Sequence, residues 1–177
     1  MNILEDIMKK MNEVEYGFCL DGENIYPDND EKWNNEFSQK YFLQSPEQIL
    51  KTKLGVCWDQ VELERYYFKQ ENINCKSYFI VEYDGIEYPT HTFILVSLNN
   101  KYYYFEHSWE PYRGIKEFDS ISEALKTVKK QFENMLIKRN ISHEEIVIYE
   151  YDKPQYNITS NEFFKYCENG IKIENIL

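Results

Sequence analysis

Residues that interrupt or cross-link a chain are scarce in this sequence. Its 177 residues include six glycines, five prolines and four cysteines. No internal repeat and no Gly/Ser-rich or Pro-rich linker divides the chain, so nothing marks a boundary between domains. The sequence therefore predicts one domain over residues 1–177, which is long enough to bury a continuous core.

Patterns for metal binding and membrane targeting are also missing. The four cysteines, at positions 19, 57, 75 and 167, are widely spaced and form no CxxC pair, so we expect no structural metal site and no cofactor. The N-terminus carries acidic residues where a signal peptide carries basic ones, and no apolar run approaches the length of a membrane span. We therefore expect a cytoplasmic protein with reduced thiols and no membrane partner.

Positive charge is outnumbered by negative charge. The chain has 31 acidic and 20 basic side chains, a formal net charge of -11, and no basic cluster along a helix or strand. Such a surface repels nucleic-acid phosphates, so we expect no nucleic-acid partner. Residues 21–35 are rich in Asp, Asn and Glu, which predicts an irregular surface loop without the ligand spacing of a calcium-binding EF-hand.

Apolar residues are abundant, and their spacing predicts five helices. Hydrophobic residues make up 42% of the chain and aromatic residues 17%, a composition that favours a folded core lined with rings. Ser45 and Pro46 are typical of a helix start, with Gln48 placed to complete a capping box. Apolar positions at helical spacing predict helices over residues 3–14, 45–53, 57–70, 120–139 and 160–168.

Four segments rich in aromatic and β-branched residues predict strands. They cover residues 75–83, 91–98, 101–106 and 145–151. Asn99 and Asn100 predict a two-residue hairpin turn, because asparagine tolerates positive φ, and Asp84-Gly85 predicts another turn. Helices and strands together predict an α+β fold.

Cys57 stands where the 57–70 helix is predicted to begin. We expect Gly55 to supply the left-handed residue that ends the preceding helix. The free N–H groups and positive dipole end of a helix stabilise a thiolate at its first residues. Cys57 is therefore a candidate nucleophile; the alternative is a small apolar residue packed in the core.

The predicted hairpin register brings His91 and Glu106 together. If Asn99 and Asn100 form the turn, the numbers of paired residues sum to 199, and Phe93 opposes Glu106. His91 lies two positions from Phe93 on the same face, so it becomes a diagonal neighbour of Glu106. A hairpin longer by one residue would turn Glu106 away and bring His107 to that face instead.

A helix-borne cysteine, a histidine entering an apolar strand and an acid on the next strand resemble the transglutaminase-like superfamily of papain-type cysteine enzymes. The resemblance covers about residues 45–115. It implies a papain/transglutaminase-like fold, in which N-terminal helices, including a central helix that bears the nucleophile, pack on an antiparallel sheet. It also implies a catalytic triad of Cys57 as nucleophile, His91 as base and Glu106 as orienting acid.

The family resemblance implies further roles. The usual third residue is aspartate, so His107 or Asp59 are alternatives to Glu106. The oxyanion hole would use the Cys57 backbone N–H, with a second donor from Tyr16, Trp58 or Gln60. Trp109 and the segment up to Gly114 form either a cleft wall or an ordinary loop.

The implied activity is acyl transfer through a thioester, either amide hydrolysis or a transglutaminase-type transfer. The partner would be a protein, a peptide or a small amide or amine. One alternative is a catalytically inactive module that binds a peptide or cationic ligand in an aromatic cleft. A further alternative is a mononuclear metal site that uses Cys57, His91 and His107.

Overall fold

The computed structural model describes residues 2–27, 32–33, 37, 40–83 and 88–174, and its centre is a six-stranded sheet with helices on both faces. The helices found in these residues are α1 (Ile3–Met11), α2 (Pro46–Thr52), α3 (Cys57–Gln70), α4 (Ile121–Lys138) and α5 (Ser160–Glu168). The strands there are β1 (Phe18–Leu20), β2 (Glu23–Ile25), β3 (Asn74–Glu82), β4 (Thr90–Leu98), β5 (Lys101–Glu106), β6 (Gly114–Phe118), β7 (Ile146–Tyr151) and β8 (Ile171–Lys172).

All strand pairs of the large sheet are antiparallel, in the order β6-β5-β4-β3-β7-β8. Strands β1 and β2 form a separate hairpin. The α+β class with an antiparallel sheet is confirmed. Within the described part of the chain, no helix is both long and apolar enough to cross a bilayer.

The register predicted for the β4–β5 hairpin is confirmed. Leu98 pairs with Lys101 and Ile94 pairs with Phe105, so the two residue numbers of each pair add up to 199. Asn99 and Asn100 have φ angles of 52° and 60°, as a type I′ turn requires. The ladder ends at the pair Ile94–Phe105, which leaves the first residues of β4 and Glu106 at its open end.

The alternation of buried side chains along the strands divides the core into groups of residues on opposite faces of the sheet. Ile94 and Val96 pack with α1, α2 and α3, whereas Phe93 and Leu95 pack with α4. A third group of buried side chains joins β3, the start of α3 and α5 through Phe79, Trp58 and Phe163. Helix α3 is consequently covered along most of its length, as its wide apolar face predicts.

Several short strands were not predicted. The expectation of an irregular loop over residues 21–35 is wrong for Glu23–Ile25, which pairs with β1; residues 28–31 and 34–36 lie outside the described part. β1, β6 and β8 have five residues or fewer and are held by neighbouring strands rather than by a marked local pattern. The predicted Asp84-Gly85 turn also lies outside the described residues.

The start of α2 is confirmed, and its predicted end is wrong. Ser45 caps the helix in a reciprocal capping box with Gln48. The residue with left-handed φ is Lys53, at 58°, not Gly55. Gly55 is needed for space instead, because a Cβ there would lie 3.0 Å from the Asp59 Cβ, tighter than ordinary van der Waals contact.

Candidate active site

Cys57 is the first residue of α3, as predicted. The preceding residue, Val56, has no side-chain hydrogen-bond acceptor for the first N–H groups of the helix. These donors and the helix dipole therefore remain available to an anion at this end. Cys57 is a free thiol, partly exposed, and it lines a cavity.

Asp59 fixes the backbone that presents the thiol. Its carboxylate accepts the N–H groups of Val56 and Gln44, each at 2.9 Å, and the hydroxyl of Tyr41. Burial raises the pKa of Asp59 to about 7, although these hydrogen bonds oppose the shift. Asp59 thus ties the start of α3 to the segment before α2, and its bonds are made with that segment rather than with His91.

The Glu106 carboxylate contacts the His91 ring. Glu106 Oε2 lies 2.8 Å from His91 Nε2, and both side chains are buried. The same carboxylate accepts three further bonds, from the Tyr104 hydroxyl at 2.8 Å, the Ser108 hydroxyl at 2.9 Å and the Trp109 N–H at 2.8 Å. Burial raises the pKa of Glu106, but His91 and these donors outweigh it, so the pKa is lowered overall. Glu106 is therefore held as a carboxylate in one orientation.

His91 also interacts with the Cys57 thiol. Because Nε2 is bonded to Glu106, Nδ1 is the ring nitrogen left to interact with the thiol. Burial lowers the pKa of His91, but Glu106 and Cys57 raise it to about 10 overall. Burial raises the pKa of Cys57, and hydrogen bonding and charge interaction with His91 reverse that effect, so the pKa is lowered. The arrangement favours a thiolate beside an imidazolium at neutral pH.

Tyr16 and Thr92 complete the surroundings of the sulfur. The hydroxyl and backbone N–H of Thr92 both lower the pKa of the Cys57 thiol, and the buried Thr92 hydroxyl makes no conventional hydrogen bond. The Tyr16 hydroxyl interacts with the Cys57 sulfur and with its backbone N–H. Burial raises the pKa of Tyr16 well above its usual range, so its hydroxyl keeps the proton that it can donate.

Of the other residues predicted for the site, Trp58 lines the cavity, whereas Gln60 and Trp109 make contacts elsewhere. Trp58 lines the cavity, and its buried Nε1–H has no hydrogen-bond partner among the described residues. The backbone N–H of Gln60 bonds to Val56 O at 3.0 Å, and its Nε2 bonds to Gly55 O at 2.7 Å. Trp109 packs on the His91 ring, with centroids 4.7 Å apart. It is not among the described residues that line the cavity.

His107 is turned away from His91. Its Nδ1 lies 2.6 Å from Gln60 Oε1. Burial and Arg113 lower the pKa of His107 to about 4, so the ring is neutral and donates to Gln60. Among the described residues, no group of three or more His, Cys, Asp and Glu side chains is spaced to hold a metal ion. Neither observation supports a metal site of Cys57, His91 and His107.

A second buried carboxyl lies near the site. Glu64 is two turns after Cys57 on α3 and is 2% exposed, and its Oε2 has no hydrogen-bond partner in the part of the chain that the structure describes. Burial and the neighbouring charge of Glu106 raise its pKa well above the usual range. The fold therefore favours the protonated form of Glu64. Sequence patterns did not indicate it, because a Glu in a helix is normally on the surface.

We expect Glu64→Gln to stabilise the protein at neutral pH. The folded protein keeps a proton on Glu64 that the unfolded chain releases above about pH 4.3, so native stability falls as pH rises above that value. Glutamine is uncharged and removes this loss. The expected gain is at least about 1 kcal/mol at pH 7, or about 2–4 °C in Tm, and none at pH 4.

Thermal unfolding at the two pH values tests this expectation. Glu144→Gln, at an exposed position, is the control and should leave Tm unchanged within a degree or so. A Glu64→Gln protein that is less stable than the native protein at pH 7 would mean that Glu64 is ionised in the fold.

The cavity beside Cys57 has a volume of about 800 Å³. This size is within the range of sites that enclose small molecules. Nine of its 16 described lining residues are aromatic, and the lining is contributed by α3, β3, β4 and α5 and by residues before and between these elements. The lining residues are Tyr16, Trp33, Phe37, Val56, Cys57, Trp58, Phe79, Tyr83, Tyr88, Thr90, Thr92, Ser160, Asn161, Phe163, Phe164 and Glu168.

Comparison with protein families identifies the family of this chain. A family model described as a transglutaminase-like domain matches residues 7–135, more than two thirds of the chain. The matched range includes Cys57, His91 and Glu106. No curated protein matches the sequence significantly.

Proposed function

The chain belongs to the transglutaminase-like family, and from this membership we propose that it is a thiol-dependent acyl-transfer enzyme. The observation that carries the proposal is the buried His91–Glu106 pair, with Nε2 2.8 Å from Oε2, together with the interaction by which His91 lowers the pKa of the Cys57 thiol. A nucleophile, a base in contact with it and a carboxylate that orients the base are the parts that covalent acyl transfer needs.

The proposed reaction forms and breaks one thioester. The Cys57 thiolate attacks the carbonyl carbon of an amide, and the electron pair moves to the carbonyl oxygen. As the C–N bond breaks, the His91 imidazolium gives its proton to the leaving amine. His91 then takes a proton from water, or from an acceptor amine, which attacks the thioester and releases the thiol group.

Hydrolysis of an amide is the favoured outcome. A transfer to an amine uses the same intermediate, and only the acceptor differs. Two donors near Cys57 support stabilisation of the carbonyl oxygen: the backbone N–H of Cys57 at the start of α3 and the Tyr16 hydroxyl. The unpartnered Trp58 Nε1–H is a third candidate.

A second function is supported by the cavity itself. A catalytically inactive member of the family would still offer an aromatic cleft of about 800 Å³ for a ligand. The two functions differ in the role of the thiol. Only the enzyme requires Cys57 to convert a substrate into a product.

The decisive experiment is a screen of amide, ester and thioester donors with the native protein and with Cys57→Ala. We expect product formation with at least one donor class, and a covalent acyl adduct of native protein by mass spectrometry. Both should be absent from Cys57→Ala. Turnover that persists in Cys57→Ala, or its absence for every donor class, would contradict the proposed enzyme.

We expect Tyr16→Phe to lower kcat/KM by about 10–100-fold. The hydroxyl interacts with the sulfur and with the N–H of Cys57, and removing one oxyanion donor commonly costs about 100–1,000-fold in kcat. The smaller loss is expected because other donors remain. Tyr103→Phe, which removes an exposed hydroxyl bonded to Glu117, is the control and should keep native kinetics. A native kcat/KM in Tyr16→Phe would exclude Tyr16 from the oxyanion site.

A further inference from the structure

We propose that the cavity selects acyl donors that carry a positively charged nitrogen remote from the reacting carbonyl. The charged group would lie among Tyr83, Tyr88 and Phe164, with the Glu168 carboxylate beside it. The inference rests on the proposed function, because it assigns a substrate class to the same thiol site. The occupant is a small cationic amide or ester.

A continuous series of aromatic rings runs along the cavity lining from Trp58 to Phe164. Trp58, next to Cys57, contacts Phe163 with ring centroids 4.7 Å apart, and Phe163 contacts Phe79 at 6.4 Å. Phe79 then contacts Phe164 at 5.3 Å. A ligand that follows these rings from Cys57 reaches Phe164, at the far end of the series.

Three rings and a carboxylate meet at that far end. The Tyr88 ring lies 6.5 Å from Phe164 and 6.2 Å from Tyr83, both in edge-to-face arrangements. The Tyr83 hydroxyl donates a 2.6 Å hydrogen bond to Glu168 Oε1, which holds the acid at the aromatic wall. Glu168 can accept further bonds, because a carboxylate has about four acceptor sites.

The charge of the lining favours a cation. Glu168 is the one Asp or Glu among the described lining residues, and none of those residues is Lys, Arg or His. Aromatic faces attract a cation within about 6 Å of the ring centroid. A cationic group there gains from both the rings and the carboxylate, whereas an anionic group is repelled by the carboxylate. The chain's formal net charge of -11 adds to the attraction at long range.

The test compares p-nitrophenyl esters that differ in one atom. One series ends in a trimethylammonium group and the other in a tert-butyl group, with carbon in place of nitrogen, over several linker lengths. Cys57 attacks the ester carbonyl, p-nitrophenolate leaves, and water hydrolyses the thioester to the acid. At the best length, we expect kcat/KM to be about tenfold higher for the cationic ester than for its neutral match.

The two kcat/KM values are measured on the same preparation of each protein variant. A misfolded fraction lowers both values equally, so their ratio does not change. We expect Glu168→Gln to lower the ratio to about twofold or less, and Glu144→Gln, which removes an exposed charge outside the cavity lining, to keep it near tenfold. Equal kcat/KM for the two esters in the native protein would overturn the inference, as would a tenfold ratio that persists in Glu168→Gln.

The same experiment separates this inference from the proposed function. Hydrolysis that depends on Cys57 but shows no preference for the cation contradicts the substrate class alone. Where no ester is hydrolysed, binding of the trimethylammonium and tert-butyl amides to Cys57→Ala is measured by calorimetry. A cation preference that disappears in the Cys57→Ala/Glu168→Gln double variant then supports the cation site without the enzyme, and equal binding overturns it.

Discussion

We expect His91→Asn to lower acyl transfer by Cys57 about 1,000-fold or more. The variant removes the group that takes the proton from the thiol and returns it to the leaving group, and general acid–base catalysis alone contributes about 100–10,000-fold. It also removes the positive charge that favours the thiolate. Steady-state kinetics with a donor found in the screen measure this loss. His143→Asn, at an exposed position, is the control and should keep native rates.

The reactivity of the thiol provides a second measure of the same substitution. At pH 7 we expect iodoacetamide to alkylate Cys57 at least about tenfold faster than Cys19, with His91→Asn removing the difference. Burial raises the pKa of Cys75 to about 11 and the pKa of Cys167 well above its usual range, so both should react slowly. Alkylation at equal rates in the native protein and His91→Asn would mean that His91 does not act on the thiol.

The pH dependence follows from the two pKa shifts. In the native protein, acyl transfer should rise with pH through the lowered pKa of Cys57 and fall above about pH 10, where His91 loses its proton. In His91→Asn, the effect of burial is no longer offset by the imidazolium, so alkylation should increase with pH only as the thiol ionises at or above about pH 8.5. The acidic limb of the alkylation profile therefore moves to higher pH in the variant.

Glu106→Gln is expected to affect both stability and catalysis. Four donors point at the two carboxylate oxygens of Glu106, and a glutamine amide nitrogen cannot accept any of them. The variant also leaves a buried imidazolium without its partner charge. Breaking a buried pair in this way costs about 3–5 kcal/mol, and loss of the orienting acid of a triad costs up to about 10,000-fold in kcat.

Urea unfolding and steady-state kinetics measure the two effects of Glu106→Gln. Tyr104→Phe is the matched variant, because it removes one of the four donors but keeps the charge. It should cost about 1 kcal/mol and leave most of the activity. A Glu106→Gln protein with native kinetics would remove Glu106 from the proposed triad.

The stability difference between Glu106→Gln and the native protein should also depend on pH. The lowered pKa of Glu106 contributes stability that is present above about pH 4.3 and is lost as pH falls through the folded value. The raised pKa of His91 contributes stability that is complete below about pH 6.5 and is lost as pH rises through about 10. The difference should therefore be largest between about pH 4.3 and 6.5.

Local patterns predicted the elements that position the candidate site. The Asn99-Asn100 turn fixed the β4–β5 register, and Ser45 and Cys57 lie at helix starts. These signals depend on neighbouring residues, so one sequence contains them. The contact of His91 with Glu106 followed from the register alone, since partners across a hairpin are set by the turn.

Features that depend on distant segments were not predicted. Lys53, rather than Gly55, takes the left-handed conformation, and nothing in its side chain indicates that. The short β1–β2 hairpin and the edge strand β6 acquire their partners from the tertiary fold. The bond between Gln60 and His107 joins residues 47 positions apart. A buried, protonated Glu64 depends on the surrounding low dielectric, which no local pattern encodes.

Helix α5 lies beyond residues 7–135, yet it contributes Ser160, Asn161, Phe163, Phe164 and Glu168 to the cavity beside Cys57. The groups that would make and break bonds lie within the matched range, whereas part of the wall that would select the ligand, including Glu168, lies beyond it. Ligand specificity in this fold can therefore change without moving the reacting groups. Exchanging the residues of α5 that face the cavity should change which ligand binds, while β4, β5 and α3 keep the reacting groups in place.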